Sequence, residues 1–99
     1  MRRDDALSLL RDHLPTLRRR FGVLDPAVFG STARDKASDR SDVDVLVTFE
    51  AGRSVGFFAL AELQEYLEQV LDSSVDVLTL PSLDPRIRDR VLKEAVRAG

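Results

Sequence analysis

Asp42-Val43-Asp44-Val45-Leu46-Val47-Thr48-Phe49 is β-branched and alternates between acidic and apolar residues at its start, and this reads as a strand whose two faces differ. Side chains alternate across a strand, so Asp42 and Asp44 project to one face with Leu46 and Thr48. Val43, Val45 and Val47 project to the other. Two carboxylates are thereby forced side by side on a surface whose reverse side is apolar.

Downstream, Ala51-Gly52-Arg53 ends the strand, and Phe57, Leu60, Leu63, Leu67 and Leu71 recur at a helical repeat that predicts a helix over 55–71. Asp72-Ser73-Ser74 breaks that helix, and Val75-Asp76-Val77-Leu78-Thr79-Leu80 reads as another strand. Asp84 is placed as an N-cap before Pro85, opening a last helix with Ile87, Val91 and Ala95 inward.

Upstream, residues 31 to 41 are small, polar or charged and suit a loop with a turn of helix. Asp25-Pro26 signals a turn, and Ala27-Val28-Phe29 reads as a short buried strand ending at Gly30. Leu7, Leu10, Leu14, Leu17 and Phe21 predict an opening amphipathic helix interrupted near Pro15. A strand, helix, strand stretch such as 43–80 usually makes a right-handed parallel crossover, whereas the short link between the first two strands permits an antiparallel pair. The expected fold is therefore α+β: a small mixed sheet of three to four strands, flanked by about four helices.

The chain has 99 residues, 43% hydrophobic and 32% charged, which fits one domain over 1–99 with a single modest core and no second substrate-binding lobe. Any large acceptor must then be met on an open face. The formal net charge of -2 lacks the basic footprint of a sequence-independent nucleic-acid binder. Arg18-Arg19-Arg20 and Arg86, Arg88 and Arg90 read as solvated helix faces. Cysteine is absent, which excludes disulfides and thiolate metal sites and agrees with a reducing compartment. With no stretch approaching a membrane span and no signal-type apolar core after Met1-Arg2-Arg3-Asp4-Asp5, the expected location is the cytoplasm.

Like charges as close as Asp42 and Asp44 repel and raise one another's pKa unless a cation or a set of donors neutralises them. Asp76 opens the other β-branched run, and if the two strands are neighbours all three acids converge at one sheet end. Oxygen-only ligands suit Mg²⁺ or Mn²⁺, and Mg²⁺ is commonly held by a few carboxylates with substrate phosphates and waters. Gly30-Ser31 would start a helical turn at the sheet edge, where glycine permits close approach of a ligand and the serine hydroxyl donates to a phosphate oxygen. Arg34 could add positive charge to a triphosphate or hold the loop. Each element alone is a common accident; their conjunction carries the reading.

At Phe29-Gly30-Ser31-Thr32-Ala33-Arg34, Ser41-Asp42-Val43-Asp44-Val45-Leu46-Val47 and Val75-Asp76-Val77-Leu78, the sequence resembles the nucleotidyltransferase superfamily that includes DNA polymerase beta. Within it the chain is similar over nearly its whole length to the minimal nucleotidyltransferases, the antitoxin halves of HEPN/MNT toxin–antitoxin pairs. The resemblance implies a cytoplasmic enzyme that uses ATP and Mg²⁺ to adenylylate a tyrosine of a partner toxin, a HEPN-type ribonuclease. By position it implies Asp42, Asp44 and Asp76 as metal ligands, Gly30 and Ser31 as the phosphate grip, and Arg34 and Ser41 among the nucleotide-binding residues. One departure is Asp35, where the family commonly has glycine; a left-handed turn there strains a non-glycine residue, though Asp tolerates it better than most.

Other readings stand beside this one: an antitoxin that masks its toxin by contact alone while keeping a metal or nucleotide site, and a stand-alone transferase for a small molecule. His13 reads as a surface or helix-end residue, Tyr66 as a half-buried helix residue, and Phe57 and Phe58 as core and partner surface.

Overall fold

The computed structural model describes residues 1–36 and 42–99. Helix α1 (Arg3–Asp12) carries Asp4 and Asp5 in its first turn and Arg11 in its last, the charge order that complements the helix dipole. It gives way to a short α2 (Leu14–Thr16), where Pro15 sits at a first-turn position that needs no N–H. A π turn (Leu17–Phe21) follows and ends on Gly22 in the left-handed region, φ 71°. The interruption near Pro15 expected from the leucine spacing is thus present, between Asp12 and Leu14.

The remaining elements are β1 (Ala27–Phe29), α3 (Gly30–Ala33), β2 (Val43–Leu46), α4 (Phe57–Leu71), β3 (Val75–Leu78), a 3-10 turn (Leu80–Ser82), α5 (Pro85–Glu94) and β4 (Val96–Arg97). The four strands form one mixed sheet in the order β3-β2-β1-β4. β1 runs antiparallel to β2 with Phe29 opposite Asp44, while β2 and β3 are parallel with Asp44 opposite Asp76. α4 makes the crossover that two parallel neighbours require.

The two faces of the sheet do different work. Val28, Val43, Val45, Val47 and Val75 pack with Leu7 and Leu10 of α1 and with Leu63, Leu67 and Leu71 of α4 into the main core. On the reverse face Ala27, Phe29 and Leu46 meet Leu83 and Val91 in a smaller cluster, which leaves the rest of that face to the acids.

Several boundaries differ from the sequence reading. β2 stops at Leu46 because Thr48 and Phe49 are drawn to the other end of the chain: Leu24 N–H donates to the Thr48 carbonyl at 2.7 Å, and Phe49 bridges Val23. β3 stops at Leu78 because Thr79 and Ser82 cap each other and start the 3-10 turn. Asp84 caps α5 as expected, accepting from the Arg86 N–H at 2.9 Å, but Ile87 is 40% exposed rather than inward. The helical spacing that runs to Ala95 is cut short after Glu94, since Val96 pairs with Val28 and satisfies the outer edge of β1. Phe57, the first member of the α4 repeat, is 78% exposed and outside the core. Among the described residues no helix is long and apolar enough to cross a membrane.

Leu67 has no exposure and sits on the α4 face that closes the main core. Leu67→Ala is expected to lower unfolding stability by about 2–5 kcal/mol, as buried leucine truncations do, measured as a shift of the urea midpoint at unchanged m-value.

Candidate active site

Asp44 stands at the middle of the reverse face, opposite Asp76 on β3 and Phe29 on β1. The in-register pairing of the two strands brings these two carboxylate-bearing residues side by side. Burial, followed by the Asp76 and then the Asp42 charge, pushes Asp44 above the usual carboxylate range, against an opposing pull from Arg34. Asp42, just ahead of β2, is exposed and within electrostatic reach of Asp44. The strands of Asp44 and Asp76 are the neighbours that convergence of the three acids requires, and the charge of Asp42 acts on Asp44. Among the described residues, however, no three His, Asp or Glu side chains are gathered tightly enough to cage an ion alone.

Gly30 supplies the other wall. It follows β1 directly, has φ 70°, and opens α3; a Cβ there would collide with the Asp44 carboxylate. The absence of a side chain thus serves both the backbone turn and the close approach to Asp44. No side chain caps the start of α3, and the Ser31 hydroxyl lies beside it, half-buried. Ser41, the remaining residue implied in nucleotide binding, lies outside the described residues.

Arg34, exposed at the end of α3, pairs through Nη1 with Glu94 Oε2 at 3.0 Å. Sequence spacing carried no signal for Glu94, which lies 60 residues away on α5. Asp35 adopts the left-handed conformation that its position suggested, φ 57°. Its strain has a compensation: Asp35 Oδ1 accepts the Arg3 N–H at 2.8 Å, at the end of α1 that no other side chain caps. Arg3 Nη1 also donates to the Ala33 carbonyl at 3.4 Å. The Gly-Ser turn is thereby anchored to both α1 and α5.

Size and chemistry do not coincide on this surface. A cavity of about 590 Å³ opens at the other end of β2 and β3, lined by Val47, Phe49, Arg53, Val55, Leu60 and Leu80. The acids lie apart from it, on a face that the described residues leave open. His13 closes α1 with Nδ1 2.8 Å from the Leu9 carbonyl, and Tyr66 is half-buried against Phe21 on the core side of the sheet, away from the acids. The helix-face reading of the first arginine cluster stands: Arg18, Arg19 and Arg20 are exposed, with Arg20 over the Phe21 ring at 4.8 Å.

The chain as a whole is similar to known proteins. Residues 10–98 match the nucleotidyltransferase domain family. The chain is 46% identical over 93 residues to the protein adenylyltransferase MntA of Thermococcus cleftensis, covering 94% of this chain and 92% of that protein. A solved minimal nucleotidyltransferase superposes with TM-score 0.77 at 38% identity, over 97% of this chain and 95% of the other. The MNT antitoxin complex with the tri-AMPylated HEPN toxin of Shewanella oneidensis matches with TM-score 0.59 at 24% identity, over 98% and 68% of the respective chains, a likeness of fold.

Because the proton on Asp44 is held more tightly in the folded chain than in the unfolded one, its contribution to stability is full below the unfolded pKa, near 4. That contribution is lost as pH rises through the folded pKa. Asp44→Asn cannot ionise, so it should melt above the parent at pH 7, with an advantage that shrinks as pH falls through the folded pKa and is gone below about pH 4; thermal unfolding at several pH values measures this, and a pH-independent advantage contradicts it. Gly30→Ala should cost about 1–2 kcal/mol from the left-handed backbone alone, with a further loss from the clash with Asp44, read by chemical denaturation.

Proposed function

This chain belongs to the nucleotidyltransferase domain family and is an enzyme that transfers AMP; on that premise we propose that it moves AMP from ATP to a tyrosine hydroxyl of a partner HEPN-type ribonuclease, acting as a cytoplasmic antitoxin. The observation that carries this reading is Gly30 pressed against Asp44, with Asp76 opposite it in register on β3. It is joined by the adenylyltransferase name of a 46% identical relative and by the AMPylated toxin in the Shewanella complex.

In the proposed reaction the tyrosine oxygen attacks the α-phosphorus of ATP. The bond from that phosphorus to the bridging oxygen of the β-phosphate breaks, and pyrophosphate leaves. Asp76 is exposed, sits next to Asp44, and is the candidate to take the hydroxyl proton. The uncapped start of α3, the Ser31 hydroxyl and the Arg34 guanidinium hold the triphosphate, with Ser41 assigned to the same task. These groups position the donor, which is much of what a phosphoryl-transfer enzyme must do.

The donor set fits a hard divalent cation: Asp42, Asp44 and Asp76 offer only oxygen, and the negative charge of Asp76 and Asp42 around Asp44 marks where positive charge is wanted. Mg²⁺, or Mn²⁺, held by these carboxylates and completed by phosphate oxygens would supply charge neutralisation at the reacting phosphate. Completion by substrate suits a site whose described residues form no closed cage.

Contact-only masking has one observation in its favour, the exposed edge-to-face pair of Phe57 and Phe58 with ring centroids 5.8 Å apart. Incubation of the chain with its partner ribonuclease and ATP labelled at the α or the γ phosphate separates the readings. Label from the α position only is expected, with Asp44→Ala giving none; transfer from the γ position, undiminished labelling by Asp44→Ala, or neutralisation of the toxin without any label each contradicts the proposal.

A further inference from the structure

Glu94 has no part in the chemistry described above, yet it is fixed with respect to it. It ends α5, two residues before Val96 pairs with Val28 of β1, and β1 runs directly into Gly30 and α3. Arg34, at the end of α3, reaches back across this short circuit to place Nη1 3.0 Å from Glu94 Oε2. Both partners of the ion pair therefore hang from the same strand, one through α3 and one through β4.

The pair is too exposed to be a stability device. Its side chains are 48% and 31% accessible, and ion pairs of this kind add little to folding. Its place at the site is more telling. Arg34 is the cation whose charge is felt by Asp44. A guanidinium is a rigid planar fork with five donors, so tying down one nitrogen sets the direction of the others. An untethered arginine would instead lose rotamer freedom when a phosphate arrived.

We propose that Glu94 is a positioning residue for the nucleoside triphosphate: its ion pair with Arg34 pre-orients the guanidinium toward the phosphates at the Gly30-Ser31 turn. The inference rests on the nucleotide-dependent reading above and adds to it a residue that touches neither nucleotide nor acceptor.

A double-mutant cycle tests it, with ATP binding measured by calorimetry in the presence of Mg²⁺ and thermal unfolding followed in parallel. Glu94→Ala should weaken ATP binding about threefold to fivefold, the range open to a partly exposed ion pair, and Glu94→Gln should act in the same direction with less disturbance of shape. Arg34→Ala should weaken binding further. In the Arg34→Ala background the Glu94 substitution should then change nothing, because its route of action is gone. An equal loss in both backgrounds makes Glu94 merely structural and overturns the inference, as does unchanged or tighter binding by Glu94→Ala alone. Failure of the unaltered chain to bind ATP overturns the nucleotide reading itself, and this inference with it.

Discussion

Crowding of like charge around Asp44 is the constraint on which the rest of this protein turns. Its carboxyl is wedged between the backbone of Gly30 and the carboxyl of Asp76, with Asp42 close behind. Left to itself the cluster repels, which together with burial raises the Asp44 pKa, and a cation would relieve that repulsion. The arrangement survives because strand register is costly to change: a one-residue slip of β2 would turn Val43 and Val45 out of the main core to expose them and drive Asp44 in. The apolar face therefore enforces the geometry of the acidic one.

That division of labour also explains the open shape of the site. A chain of 99 residues can fill one face of a four-stranded sheet with α1 and α4, but it covers the reverse face only in part, through Leu83 and Val91. Among the described residues, what remains uncovered is the region of the acids. An acceptor presented on the surface of another macromolecule can reach such a face.

The turn that carries Gly30 and Ser31 is short, and short turns hold their shape only when their ends are tied. Here the ties run to distant parts of the chain: Arg3 in α1 meets Asp35 and Ala33, and Glu94 in α5 meets Arg34. Asp35 illustrates how local strain and tertiary contact offset each other. Its left-handed backbone is unfavourable, but that same conformation accompanies a carboxylate that caps the start of α1.

Much of this was legible in the linear chain. Alternation in Val43-Asp44-Val45 determined the two-faced strand, the leucine spacing of α4 the crossover helix, and Asp84-Pro85 the start of α5, because each depends on neighbours within a few residues. The Gly-Ser turn, the paired aspartates and the likeness to nucleotidyltransferases were local patterns too. Only the tertiary structure decided that Asp44 faces Asp76 in register, that Val96 pairs with Val28 to close β1, and that Phe57 and Ile87 stay outside the core. It alone also joined Arg34 to Glu94 and Arg3 to Asp35. These contacts span 60 and 32 residues, and at such separations pairing is set by how the sheet and helices pack, which no local periodicity encodes.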